Sequence, residues 1–258
     1  MAQQKSPFIL VPLYIYPTPT SWEPLFLAAK SCPDLEFLVV VNPGNGPGPE
    51  AMPDVNYLDA LGKLSMIPNA KVIGYVHCSY GKRATTAIEK DILTYQGWKI
   101  KDGISHIRME GIFFDEVPSS TVYVQYMANL SRAVRKALES SDGEAGRNST
   151  VIYNPGVVID PAFYQTADFV VAFENQATQW DSTVVRGAMA ALPTTLRAKS
   201  VAIAHSSPNL HDALQLAEKV HREGFVGQFI TTQPGYTAWC LKWDAYVQKV
   251  RGLTGHEQ

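Results

Sequence analysis

The chain has 258 residues, 46% of them hydrophobic and 18% charged, with a formal net charge of −2. That length suits one (β/α)₈ barrel or two small domains, and that balance is an ordinary globular enzyme's with a large core. The small net charge argues against a nucleic-acid or anionic-membrane partner.

An apolar stretch opens at Phe8, but Pro12 and Pro17 break it, so it reads as neither a signal peptide nor a membrane span. As written, the chain reads as cytoplasmic and soluble; a secreted protein trimmed of its leader would read the same way. Two N-x-S/T sequons, at Asn129 and Asn148, matter only in a secreted chain. The cysteines are three, Cys32, Cys78 and Cys240. An odd number without close spacing argues against a disulfide framework or a zinc site. Cys32 is expected to close the first helix and Cys240 to open the last, at opposite ends of a barrel, where they cannot pair.

Residues 8–16 predict a first strand, with Pro12 awkward inside it because proline donates no ladder hydrogen bond. Ser21 reads as the N-cap of a helix to about Lys30. Residues 35–41 form a second strand ending in Asn42-Pro43-Gly44, then a Gly/Pro-rich loop and a helix over 57–66. Residues 71–76 form a third strand, ending in His77, and a helix follows over 83–98. The fourth strand, 111–116, runs Gly-Ile-Phe-Phe-Asp-Glu and stops at Val117-Pro118. A short apolar run closed by a turn signal reads as a buried parallel strand. Its helix spans 120–139, and a polar linker without periodicity fills 140–148.

A fifth strand, 149–153, ends in Asn154-Pro155-Gly156, and Asp160-Pro161 begins a short helix. A sixth strand, 169–173, ends in Glu174-Asn175, before a helix over 184–192. A seventh, 200–204, ends in His205, and Asn209 caps a helix to about Arg222. The eighth, 224–230, leads to a closing helix over 238–250. Eight strand–helix units in this length predict a single TIM-barrel domain over residues 1–258. No strand-to-helix turn carries a complete dinucleotide or P-loop glycine pattern.

The strand bodies are nearly all apolar, and polar side chains collect at their C-terminal ends: Tyr14, Tyr16, Asn42, His77, Asp115, Glu116, Asn154, Glu174, His205 and Gln233. In a parallel barrel that rim is the functional face. Alone, each has a plainer reading. His77 or His205 would be a hydrogen-bonded core histidine, Asn42 and Asn154 turn residues before Pro-Gly, and Asp115 or Glu116 a helix cap. Jointly they converge on one rim.

Acidic ends on strands four and six suit glycosidic bond cleavage. One carboxyl must carry a proton for the leaving group; the other must be ionised to attack or to stabilise positive charge. Asp115 and Glu116 are consecutive, so in a regular strand only one faces the lumen. A metal site built from His77, Asp115, Glu116, Glu174 and His205 competes, although no HExxH occurs. No lysine stands at a strand end for Schiff-base chemistry.

With these residues in place, the chain resembles the spherulin-4 (spherulation-specific family 4) proteins. The matching pieces are VPLYIYP, VVVNPGNGPG, GYVHCSYGKR, GIFFDEVP, YNPG and VAFEN, in order across residues 11–175. The resemblance implies a (β/α)₈ glycoside hydrolase fold and an activity like that of fungal endo-α-1,4-N-acetylgalactosaminidases, which cut galactosaminogalactan. Exported or membrane-anchored members are known there, and this chain shows neither signal. The family's acidic residues fall on Asp115, Glu116 and Glu174. The expectation is a retaining endo-acting enzyme on a carbohydrate polymer, needing no cofactor and no metal. Asp115 is the expected nucleophile, Glu174 the acid/base, and Glu116 a positioning or supporting group, with Asp115 and Glu116 open to exchange. Tyr14, Asn42, His77, Asn154 and His205 are expected to contact substrate. The alternative is a non-catalytic, spore- or stress-associated carbohydrate-binding protein. Oligomeric state has no signature in the sequence.

Overall fold

The computed structural model describes residues 7–98, 107–139 and 149–253. Eight parallel strands close into a barrel in sequence order. They are β1 (Phe8–Leu13), β2 (Glu36–Val41), β3 (Ala70–His77), β4 (Met109–Asp115), β5 (Thr150–Tyr153), β6 (Phe169–Gln176), β7 (Ser200–His205) and β8 (Gly227–Ile230). The helices are α1 (Glu23–Ser31), α2 (Val55–Leu64), α3 (Thr85–Gln96), α4 (Val124–Glu139), α5 (Thr183–Ala191), α6 (Thr194–Arg197), α7 (Leu210–Arg222) and α8 (Trp243–Gly252). Between β5 and β6 the chain makes a 3₁₀ turn, Pro161–Gln165, capped by the Asp160 carboxylate. No described helix is long and apolar enough to cross a membrane.

Apart from the last three residues of β6, the strands are buried almost end to end, because helices cover the barrel outside and side chains fill it within. Pro12 fits for a local reason. The Phe8 amide donates to Val226, so two-residue alternation turns the Pro12 nitrogen toward β8 as well. The β1–β8 ladder, however, runs only through Phe8 and Ile9, and Pro12 leaves no ladder bond unmade.

Two ladders shift register, between Val72 and Ile73 opposite β4, and between Val171 and Phe173 in β6. Such shifts re-aim the side chains beyond them, and both lie below the strand ends that carry Asp115 and Glu174.

Gly111 of β4 lies against the backbone of Thr150 in β5. A methyl carbon there would fall inside the Thr150 carbonyl oxygen. Gly111→Ala is therefore expected to force the strands apart and cost about 3 kcal/mol. A urea titration checks it: the midpoint should fall with the slope unchanged. Gly74 performs a similar service for the Tyr95 ring. The Tyr95 hydroxyl lies 3.1 Å from the Val41 carbonyl and 2.9 Å from that of Tyr75, pinning the tops of β2 and β3.

Several boundaries differ from the sequence reading. β1 ends at Leu13, so Tyr14 and Tyr16 stand in the loop above it. Ser21 caps no helix; its hydroxyl donates to Tyr16 and Thr18 carbonyls, and α1 starts after Trp22. The closing helix begins at Trp243 rather than 238. Asn129 lies inside α4, with Ser131 buried against the Tyr153 hydroxyl 2.5 Å away. Asn148 and the linker 140–148 lie outside the described residues. All three cysteines are free.

Candidate active site

Parallel strands in a barrel all end at one rim, so the residues that follow them face each other. Asp115 ends β4, Glu174 lies near the end of β6, and Asn154 follows β5 between them. Asn154 is 4% exposed, and its Nδ2 donates to Asp115 Oδ1 at 2.8 Å and to Glu174 Oε2 at 2.5 Å. Both bonds share one nitrogen, so those two oxygens lie within the two lengths laid end to end, about 5.3 Å. The Asn154 Oδ1 accepts from the Gly156 amide at 3.1 Å, which fixes the orientation of the side chain.

Each carboxylate also has its own tyrosine. Tyr75 donates to Asp115 Oδ2 at 2.8 Å, and Tyr236 donates to Glu174 Oε1 at 2.7 Å. The Tyr14 ring meets both tyrosines edge-on, with centroids 5.7 Å from Tyr75 and 5.8 Å from Tyr236. Six side chains thus form a closed ring: Asn154, Asp115, Tyr75, Tyr14, Tyr236 and Glu174.

Burial dominates the electrostatics of this ring. Burial raises Glu174 above the ordinary glutamate range. Bonds from Asn154 and Tyr236 oppose that, nearby Asp115 adds to it, and His205 lowers it; the balance stays upward. Burial first, and the two carboxylates after it, hold Tyr14, Tyr75 and Tyr236 above the usual phenol range, so their hydroxyls keep their protons. Burial, then Asp115, pushes the Cys78 thiol far up and leaves it a poor nucleophile.

Glu116 turns away from its neighbour. Its φ is 52°, a left-handed conformation that ends the strand and parts the two carboxylates. Glu116 Oε2 lies 3.8 Å from His77 Nδ1, which itself is 2.9 Å from Ser79 Oγ. Among the described residues, every non-glycine with positive φ stands in a rim loop: Asn45, Ser79, Tyr80, Glu116 and Ser206. Each costs about 1–3 kcal/mol, and such residues cluster at functional sites. Here the strain is held by cross-loop bonds, Tyr80 N to Glu116 O at 2.8 Å and Ser206 N to Gln233 O at 2.8 Å.

Of the residues singled out in the sequence, the structure brings Asp115, Glu174, Asn154 and Tyr14 into one ring, with Glu116 and His77 beside it and His205 edge-on to Tyr236 at 6.4 Å. His205 Nδ1 lies 3.0 Å from Ser206 Oγ. Asn42 holds its own turn, its Oδ1 accepting from Gly46 at 2.8 Å. Tyr16 reaches sideways to Asp54 at the start of α2. Sequence reasoning missed Tyr75 and Tyr236. Tyr75 precedes His77 by two residues, so alternation alone places it on the same face; Tyr236 has no such signal. Among the described residues, no three His, Cys, Asp or Glu side chains are placed to hold a metal together.

The chain matches the model of spherulation-specific family 4 over residues 8–250. It is 31% identical over 203 residues to spherulin-4 of Physarum polycephalum, a stretch covering 77% of this chain. The chain spans 55% of that relative's length. Aspergillus clavatus Sph3, solved in complex with GalNAc, superposes with a TM-score of 0.85 at 32% identity, covering 97% of this chain and 99% of that one. A Bacteroides thetaiotaomicron chitinase superposes at 0.53 with 11% identity, over 98% of this chain and 99% of its own, a likeness of fold alone.

Proposed function

The chain belongs to spherulation-specific family 4, and on that premise we propose that it is a retaining, endo-acting glycoside hydrolase of α-1,4-linked polymers containing N-acetylgalactosamine or galactosamine. The observation that carries this reading is the Asn154 amide held between Asp115 and Glu174. Retaining enzymes set their two carboxyls about 5–5.5 Å apart, whereas inverting ones leave about 6.5–9.5 Å for a water. An upper bound of about 5.3 Å between the facing oxygens favours the first. The GalNAc held by Sph3, a barrel alike over nearly its whole length, supports the choice of sugar.

In this mechanism Asp115 attacks the anomeric carbon from the face opposite the leaving oxygen, forming a glycosyl ester. Glu174, whose proton burial holds more tightly than an ordinary glutamate's, gives that proton to the leaving oxygen. Glu174 then takes a proton from a water that attacks the anomeric carbon from the face the leaving oxygen occupied; the ester bond breaks, Asp115 departs as carboxylate, and the original configuration is restored. Asn154 and Tyr75 donate to the two oxygens of Asp115, which fixes the orientation of its carboxyl. Glu116, His77 and His205 line the approach and contact sugar hydroxyls.

A barrel of this kind serves a binding protein as readily as an enzyme, and turnover separates the two. Reducing ends should accumulate when the protein is incubated with galactosaminogalactan, and the rate should survive dialysis against EDTA. Binding without new reducing ends would make it a lectin-like protein. Loss on dialysis restored by one divalent ion would move the chemistry to a metal.

A further inference from the structure

Tyr236 belongs to no strand or helix, yet its loop is fixed on both sides. Ser206 beyond β7 donates its amide to the Gln233 carbonyl at 2.8 Å, and Trp239 Nε1 donates to the Ser21 carbonyl at 2.7 Å across the barrel seam. Gln233 Nε2 closes the loop on the Trp239 carbonyl at 3.3 Å. The ring itself is wedged edge-on among Tyr14, Phe229 and His205. A phenol held this way delivers one hydroxyl to one place, and that place is Glu174 Oε1 at 2.7 Å.

We propose that Tyr236 is a positioning residue for the reaction, its hydroxyl orienting the Glu174 carboxyl toward Asp115 and setting the pH at which Glu174 yields its proton. This rests on the acid/base role given to Glu174 above. A donated hydrogen bond favours the ionised carboxylate, the form Glu174 takes once its proton has gone to the leaving oxygen. Tyr236 therefore strengthens the acid at the moment of transfer. The groups facing Glu174 are Asp115 from β4, Asn154 from the end of β5, Tyr14 from the loop after β1, Tyr75 from β3 and His205 from β7. Of these only Asn154 also donates to it directly, and Asn154 is shared with Asp115. Tyr236 is thus the donor through which Glu174 can be tuned alone.

Tyr236→Phe removes one oxygen and keeps the ring contacts. In protein carrying ¹³C-labelled glutamate carboxyls, the Glu174 resonance is the one missing from Glu174→Gln. It should titrate about one pH unit higher in Tyr236→Phe, the worth of a lost bond to a charged group. On an α-1,4-linked N-acetylgalactosamine polymer, the alkaline limb of the rate profile should rise with it. At the optimum kcat should fall about tenfold with KM nearly unchanged. Tyr236→Leu, which also lacks the hydroxyl, should raise the titration likewise and serves if the phenylalanine variant does not fold. A Glu174 titration unmoved in both, or a loss carried by KM alone, overturns the proposal. The acid/base role fails separately, on retained cleavage in Glu174→Gln.

Discussion

Asp115→Asn is expected to abolish cleavage, with a loss of about 10⁴-fold or more. The site's main asset is a carboxylate held in line with the reacting carbon, and oriented groups of that kind act at effective concentrations of about 10⁵–10⁸ M. Asparagine keeps the shape but cannot form the ester. The fold should survive, because the Tyr75 hydroxyl can rotate from donor to acceptor and meet the new amide, while Asn154 still donates to the remaining oxygen. The cost in stability is about 1 kcal/mol. Glu116→Gln provides the contrast. Glu116 stands against His77 rather than across from Glu174, so its loss should cost about tenfold, the worth of one substrate hydrogen bond. Measured kcat/KM for the two variants decides between them; a dead Glu116→Gln beside an active Asp115→Asn would exchange their roles.

Glu174→Gln is expected to lower the rate by about 10²–10⁴-fold, the usual cost of removing a positioned acid/base. Glutamine has the same volume but neither delivers nor accepts the proton. Stability should behave differently. Glu174 titrates above the ordinary glutamate range in the folded protein, so its contribution to stability is whole below that range and is lost as pH rises through its own pKa. Glutamine carries no such loss, so the variant's melting temperature should draw level with or pass that of the native protein on raising pH from about 4 to 7. Sugar release and melting temperature measured on one preparation check both halves. An unchanged rate with a lowered melting temperature would reduce Glu174 to a structural group and leave Asp115 without its partner.

Much of this arrangement is legible in the sequence. Eight apolar runs, each stopped by a polar or Pro-Gly turn, imply parallel strands buried on both faces, and their order closes the barrel. Asp115 and Glu174 stood out because charge at the end of an apolar strand has only the rim to go to. Asn154 was visible as a rim residue, but its place between two carboxylates depends on how far apart β4 and β6 sit across β5, which no local pattern encodes. Tyr75 was hidden inside an apolar run where its hydroxyl looks incidental. Tyr236 lies in a loop without periodicity. There Trp239, Cys240 and Leu241 look like the first turn of a helix, whereas the chain starts α8 only at Trp243. The turned-away Glu116 was also out of reach, because a left-handed glutamate is held by its neighbours' backbone bonds and not by its own preference.

The configuration of the first sugar released tests the carboxylate pair most directly. In ¹H NMR spectra recorded as an α-1,4-linked N-acetylgalactosamine oligosaccharide is cut, the α-anomer of the new reducing end should appear first and the β-anomer only later, by mutarotation. That is the outcome of two displacements through Asp115. A β-anomer appearing first would mean a single displacement by water, and would contradict a nucleophile bridged by Asn154 to its acid/base.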